Sequence, residues 1–341
     1  MMIKHLLLAA ATLSLATAAN GQENTSSPAP QPALSPNAIV DAAAPGEWIT
    51  IPAEDLLVMT LAPDRDGNSR SVIIQLMPAP FSTGWVQNIR TFARAKWYDS
   101  ISVNRVQDNY VVQWGDPNYD NPEAEGEAKA LPDGLKVMEE SQYKLRQPFA
   151  MSEAAFSAAT KQAGTNAVAE FLGPLFRPDP YGGGSTIIAG WPIGVDADEM
   201  WPVHCYGMIG VGRGYSPDTG SGAELYTVIG HAPRHLDRNI ALVGRIVEGM
   251  EHLSSLPRGS GALGFYTADE FDKRTPIQSV RVASDLPAAD QPAFEYLATE
   301  GETFARYADA RANRRDPFFI VPAGGADICN IPVPVRRTPN G

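Results

Sequence analysis

Short apolar runs that stop at glycine or proline recur along this chain and limit what it can become. "DLLVMTLA", "RSVIIQLMP", "GMIGVGRG", "ELYTVIG", "NIALVGRIV" and "PIQSVRVAS" are each long enough for a strand and too short for a typical helix. The 341 residues include 30 glycines and 29 prolines, which supply the turns between such strands. Val72, Ile74 and Leu76 alternate onto one face, as do Val280 and Val282. The Gly and Asn of "DRDGNSR" suit a hairpin between the first two runs. Only "FSTGWVQNIRTFARAKWYDS" and "EGMEHLSSLP" read as helices among these strands. The first carries Val86, Ile89 and Ala93 on one stripe, with Ser82 or Thr83 to cap it. The pattern implies a β-barrel or a sandwich, not alternating α/β units.

The two ends read differently. In residues 1–21, Lys4 and His5 precede an apolar run from Leu6 to about Ala16, followed by small residues. That is the layout of a cleavable signal peptide, cut near Ala18 to Gly21, and the run is too short to span a bilayer. A buried N-terminal helix is the alternative. Residues 22–46 are rich in Pro, Ser and Ala and read as a disordered or extended linker. Structure is expected from "EWITI" onward, in a domain over 47–283. Residues of about 118–203 are too many for a connecting loop, so a partly helical insertion is expected there, its helix near 153–172. Residues 284–341 form a C-terminal extension with one helical stretch, "ETFARYADARANRRD".

A net charge of -12 sets the surface against nucleic acid and anionic lipid. No later segment is apolar enough to cross a membrane, and a monomer is expected. A leader peptide implies an oxidising space, periplasmic or secreted. There the only two cysteines, Cys205 and Cys329, read as one disulfide; two separate buried thiols are the alternative.

Several tempting motifs fail. "GVGRG" lacks the spacing of a dinucleotide fingerprint, "GGGST" has no phosphate-loop lysine, and "GYSPD" lacks the second glycine of a nucleophile elbow. His231 and His235 are spaced for a metal, but Pro233 between them opposes a helix. No metal and no cofactor is expected. Asp116 and Asp120 read as turn residues.

"RVQDNYVVQWGDP", residues 105–117, stands out because Arg105 and Gln113 interrupt an apolar stretch. Alternation puts Val111 and Gln113 on one strand face. An apolar floor with one amide and a guanidinium suits a peptide-binding wall. The plain alternative is a surface arginine in an ion pair and a glutamine satisfying nearby backbone.

Order and spacing of these segments resemble the cyclophilins. "RVQDNYVVQWGDP" is similar to the family's arginine followed by a Phe-x-x-Gln-x-Gly-Asp strand. "VIIQLMPAPFSTGWVQNIRTFA", "KWYDSISVNRV" and "GMIGVGRGYSPDTGSGAELYTVIGHAPRHLDRNIALVGRIVEGM" resemble other family segments in order. The likeness covers roughly 50–116 and 204–283. It implies a mainly β fold, a closed eight-stranded antiparallel barrel capped by two helices, with a groove on its outer surface. It implies peptidyl-prolyl isomerase activity on proline-containing unfolded or envelope polypeptides, with a proline-peptide binding module as the alternative. Arg105 would stabilise the twisted amide and Gln113 would hold substrate backbone. Tyr110, Val111, Tyr226 and Leu236 would line the proline pocket, with His235 beside it. The backbone of Gly212 and Arg213 would pair with the residue before proline. The sequence departs from the family at Tyr110 and Tyr226 (phenylalanines), Val111 (methionine), Glu224 (glutamine), Trp114 (glycine) and Ile240 (a groove histidine).

Overall fold

The computed structural model describes residues 32–118, 126–146 and 175–339. The signal-peptide and 153–172 helix expectations lie outside the described residues.

The chain first forms a helix, α1 (Pro36–Asp41), inside the stretch whose composition reads as linker. Ser35 accepts the Ala38 N–H at 3.2 Å and Pro36 fills the first turn, a helix-start arrangement that overall composition hides. Strand β1 (Trp48–Thr50) follows, then β2 (Leu56–Leu61) and β3 (Arg70–Leu76) as an antiparallel hairpin. Val72, Ile74 and Leu76 enter the main core, and Ile73 a smaller cluster on the other face, as alternation requires. Helix α2 (Thr83–Arg94) buries Val86, Ile89 and Ala93 together with Trp85 and Phe92. Ser82 stands at its N-cap but does not cap it: its hydroxyl donates to the Leu242 carbonyl at 2.7 Å.

Strands β4 (Ile101–Val106) and β5 (Val111–Gly115) form the next hairpin. Over its described residues the expected insertion contains a four-stranded sheet. Its strands are β6 (Leu145–Arg146), β7 (Gly184–Ile188), β8 (Trp191–Val195) and β9 (Glu199–Pro202), in the order β6-β9-β8-β7. Ala189 and Gly190 both take positive φ in the β7–β8 turn, which matches the right-handed twist of a hairpin. Without an Asn-Gly pair this turn carries no strong sequence signal.

The chain then returns to the barrel with β10 (Met208–Val211), β11 (Leu225–Val228), β12 (Leu242–Glu248), the single-turn helix α3 (Glu251–Ser254) and β13 (Pro276–Val282). Eight strands close in the order β10-β11-β5-β4-β13-β2-β3-β12, every pair antiparallel. Helix α2 packs by β13 and α3 by β3. The tail adds β14 (Phe294–Leu297), helix α4 (Glu302–Ala312) and β15 (Val335–Arg337). β14 lies between β1 and β15, and α4 packs on α1, so the tail is joined to the segment that precedes the barrel. Trp114 is buried in the main core, so it fills the barrel. No helix among the described residues is long and apolar enough to cross a membrane.

Cys205, between β9 and β10, is bonded to Cys329 in the tail, with the Cα atoms 5.1 Å apart. The bond closes a loop of sequence separation 124. Reduction is therefore expected to lower stability by about 2–4 kcal/mol. A lower urea midpoint in reductant would show it, and an unchanged midpoint would refute it.

Candidate active site

The groove follows from one irregularity. Ile101 and Val103 point into the core, so strict alternation would bury Arg105 as well. The register between β4 and β5 shifts between Val103 and Arg105. At this bulge Asn104 is buried, its amide donating to the Gly115 carbonyl at 3.1 Å, and Arg105 is sent to the outer face opposite Gln113. On β5, Val112 and Trp114 face the core while Val111 and Gln113 face out beside Val228 and Tyr226 of β11.

Three acceptors hold the Arg105 guanidinium. Nε donates to the Leu263 carbonyl at 2.7 Å, Nη1 to Gln113 Oε1 at 3.1 Å and Nη2 to Gln107 Oε1 at 2.5 Å. Its Cζ lies 5.6 Å from the Tyr110 ring centre and 5.4 Å from that of Phe265. Burial pushes its pKa down, opposed only by the Tyr110 and Tyr226 hydroxyls, so the surface ion pair of the plain reading is not what holds it. Gln113 in turn donates from Nε2 to Glu224 Oε2 at 3.1 Å. A Cβ at Gly115 would sit 1.9 Å from Glu224 Oε1, so glycine is what lets the carboxylate lie there.

These groups border a cavity of about 620 Å³. Arg105, Gln113, Tyr110, Val111, Gly212, Arg213, Tyr226 and Leu236 all line it. His235 does not. The 3₁₀ turn Arg234–Leu236 buries Arg234, turns Leu236 to the groove and leaves His235 exposed, stacked 6.1 Å from the Tyr110 ring. The Gly212 N–H is already committed, donating to the Glu224 carbonyl at 2.8 Å. Leu263, Phe265 and Tyr215 line the cavity too. Sequence reading missed them because the first two arrive on a loop beyond α3, far from the "RVQDNYVVQWGDP" motif.

Beneath the floor runs a buried polar chain. The Tyr226 hydroxyl lies 3.0 Å from His204 Nε2, and His204 Nδ1 lies 2.9 Å from Asp237 Oδ1. Asp237 only accepts when ionised, so Nδ1 carries the proton in that bond. Arg234 donates to Asp237 Oδ2 at 2.7 Å and to Asp179 Oδ2, in the insertion, at 3.0 Å. Burial, with Tyr110 and Asp237 adding to it, raises the Tyr226 pKa well above the usual phenol value and keeps its proton on. This chain gives the hydroxyl that replaces phenylalanine a partner away from the groove.

The arrangement offers a fixed cation above an apolar floor. Among the described residues no three His, Cys, Asp or Glu side chains are grouped to hold a metal ion.

Comparison with known proteins agrees with this fold. The crystal structure of cyclophilin AquaCyp293 from Hirschia baltica is similar, with a TM-score of 0.58 and 18% identity over 86% of this chain and 94% of that one. A Cryptosporidium parvum cyclophilin type peptidyl-prolyl cis-trans isomerase, solved with the dipeptide Ala-Pro, aligns over 66% of this chain and 97% of its own. Its TM-score is 0.34 at 9% identity, a likeness too weak to bear on the fold. No curated protein matches the chain in sequence. The profile of the family described as "Cyclophilin type peptidyl-prolyl cis-trans isomerase/CLD" matches residues 82–283, which contain the bulge, the arginine and the groove. The chain belongs to the cyclophilin-type peptidyl-prolyl cis-trans isomerase family.

Proposed function

We propose that the groove catalyses rotation about X-Pro bonds in exported polypeptides, without a covalent step. The observation that carries this reading is the three-point hold on Arg105 above the apolar surface of Tyr110, Val111, Tyr226, Leu236 and Phe265. Amide rotation faces a barrier of about 18–20 kcal/mol, so X-Pro bonds relax over tens of seconds. Twisting the bond destroys amide resonance and leaves the prolyl nitrogen pyramidal and basic. A guanidinium already fixed in place favours that state over either planar one, and so lowers the barrier. The proline ring rests on the apolar floor, and the Arg105 fork reaches the nitrogen and the following carbonyl.

The N-terminal apolar run and the Cys205–Cys329 bond support an oxidising compartment. N-terminal sequencing of the cell-derived protein tests that part, and an N-terminus at Met1 would overturn it.

A second reading, a proline-peptide binder with little turnover, draws on the prior commitments of Gln113 and the Gly212 N–H. A coupled isomerisation assay on a proline tetrapeptide separates the two. Acceleration proportional to enzyme concentration is expected. Saturable peptide binding without acceleration would leave the binder.

A further inference from the structure

Arg245 is buried on the outer face of the barrel, where barrel, insertion and tail meet. It lies on β12, opposite Gln75 on one side and Met208 on the other. Nε donates to Gln75 Oε1 and Nη1 to the Gly190 carbonyl, both at 2.8 Å. Those bonds use two of the five guanidinium N–H groups. Nη2 is shielded from solvent and has no acceptor among the described residues. The guanidinium lies over the Trp191 ring, 4.5 Å from its centre. Burial pushes its pKa down to about 10, and only the Tyr296 hydroxyl opposes this.

Arg234 shows what this chain does elsewhere with a buried arginine. Burial works against the charge there too, but Asp237 and Asp179 outweigh it. Leaving a buried charge without its counter-charge is costly. A chain with 39 acidic residues has no shortage of carboxylates to supply one.

A second observation meets the first. Arg245 lines a cavity of about 390 Å³ that shares no lining residue with the groove. Its walls are Met208 and Ile246 of the barrel, Pro192 of the insertion, the Cys205–Cys329 bond, and Ile331 and Val333 of the tail. The size is that of a small-molecule site, with apolar walls and one charged group.

We propose that this cavity binds an aliphatic carboxylate, its head on Arg245 and its chain along the apolar walls. A carboxylate takes guanidinium N–H groups in a fork and supplies the missing negative charge. A peptide would bring further N–H and C=O groups that these side chains cannot satisfy.

The test titrates the full, oxidised chain with decanoate and with decanol by calorimetry. Saturable one-to-one binding of decanoate is expected, at least tenfold tighter than decanol, with a raised unfolding midpoint. Arg245→Met should weaken decanoate at least tenfold. Val333→Trp, which fills the cavity and leaves Arg245 in place, should abolish binding and carries the test if Arg245→Met does not fold. Isomerase activity should not respond to decanoate, so this result is independent of the groove. No saturable binding, equal affinity for decanoate and decanol, or wild-type binding by Val333→Trp would each overturn the proposal.

Discussion

Replacing Arg105 by alanine is expected to lower kcat/KM for a proline tetrapeptide by about 10²–10³, the usual loss when a fixed donor to transition-state charge is removed. The argument rests on pre-organisation. Leu263, Gln107 and Gln113 hold the guanidinium before substrate arrives, so no ordering cost falls on the reacting state. Arg105→Lys should recover little of the loss, because an ammonium lacks the planar fork that serves both the holding groups and the substrate. Substrate affinity should change less than turnover, since the apolar floor remains. The coupled assay reads the rates, and a urea midpoint shows that each variant is folded. A rate within threefold of wild type for a folded Arg105→Ala protein would end the catalytic assignment and leave a binding groove.

The second large effect is expected at Asp237, which no substrate touches. Asp237→Ala should destabilise the fold by about 3–5 kcal/mol, the typical result of removing one partner from a buried ion pair. It would strip Arg234 of one carboxylate and His204 of its Nδ1 acceptor. Burial alone would raise the Asp237 pKa, but the His204 hydrogen bond and charge, with Arg234, outweigh it and hold the value down. The sign for stability follows from that direction. The carboxylate's contribution is fully present above its unfolded pKa of about 3.9 and is lost as pH falls through the lower folded value. Urea unfolding from pH 7 down to 3 should show wild type losing an increment that Asp237→Ala has already lost. A variant within 1 kcal/mol of wild type at pH 7 would refute the claim. Tyr226→Phe should cost far less, since it removes a neutral hydroxyl from the end of the chain.

Much of this was legible in the sequence because alternation is a local signal. The faces of β3 and β5 and the burial of Val86, Ile89 and Ala93 needed no tertiary knowledge. Other features depended on distant partners. The bulge at Asn104 shows only when β5 is laid beside β4, yet it decides whether Arg105 faces core or groove. His204 carries no signal of its own in the sequence, since Tyr226 and Asp237 reach it from later strands and turns. Position in the sequence alone does not give the direction that the backbone sets. His235 turned outward on its 3₁₀ turn, and the Gly212 N–H was taken by Glu224. Composition hid the helix at Pro36–Asp41, which Ser35 and Pro36 start and whose buried Ile39 joins the core. Trp114 could not be placed from sequence because one of its two strand neighbours, Leu225 on β11, is far away in the chain.

The order of strands around the barrel also sets a schedule. β2 has β3 on one side almost as soon as it is made, but its other neighbour is β13, where Leu57 meets Val282 roughly two hundred residues later. β4 waits for the same strand, through Ile101 and Ile277. Until β13 exists, two strands carry unpaired edges, open to pairing with any other chain. Contacts this distant in sequence form slowly because the loop between them must close first. β1 waits longer still, for β14. A nascent chain of this protein therefore stays an open sheet until β13 is made and becomes a closed surface only then.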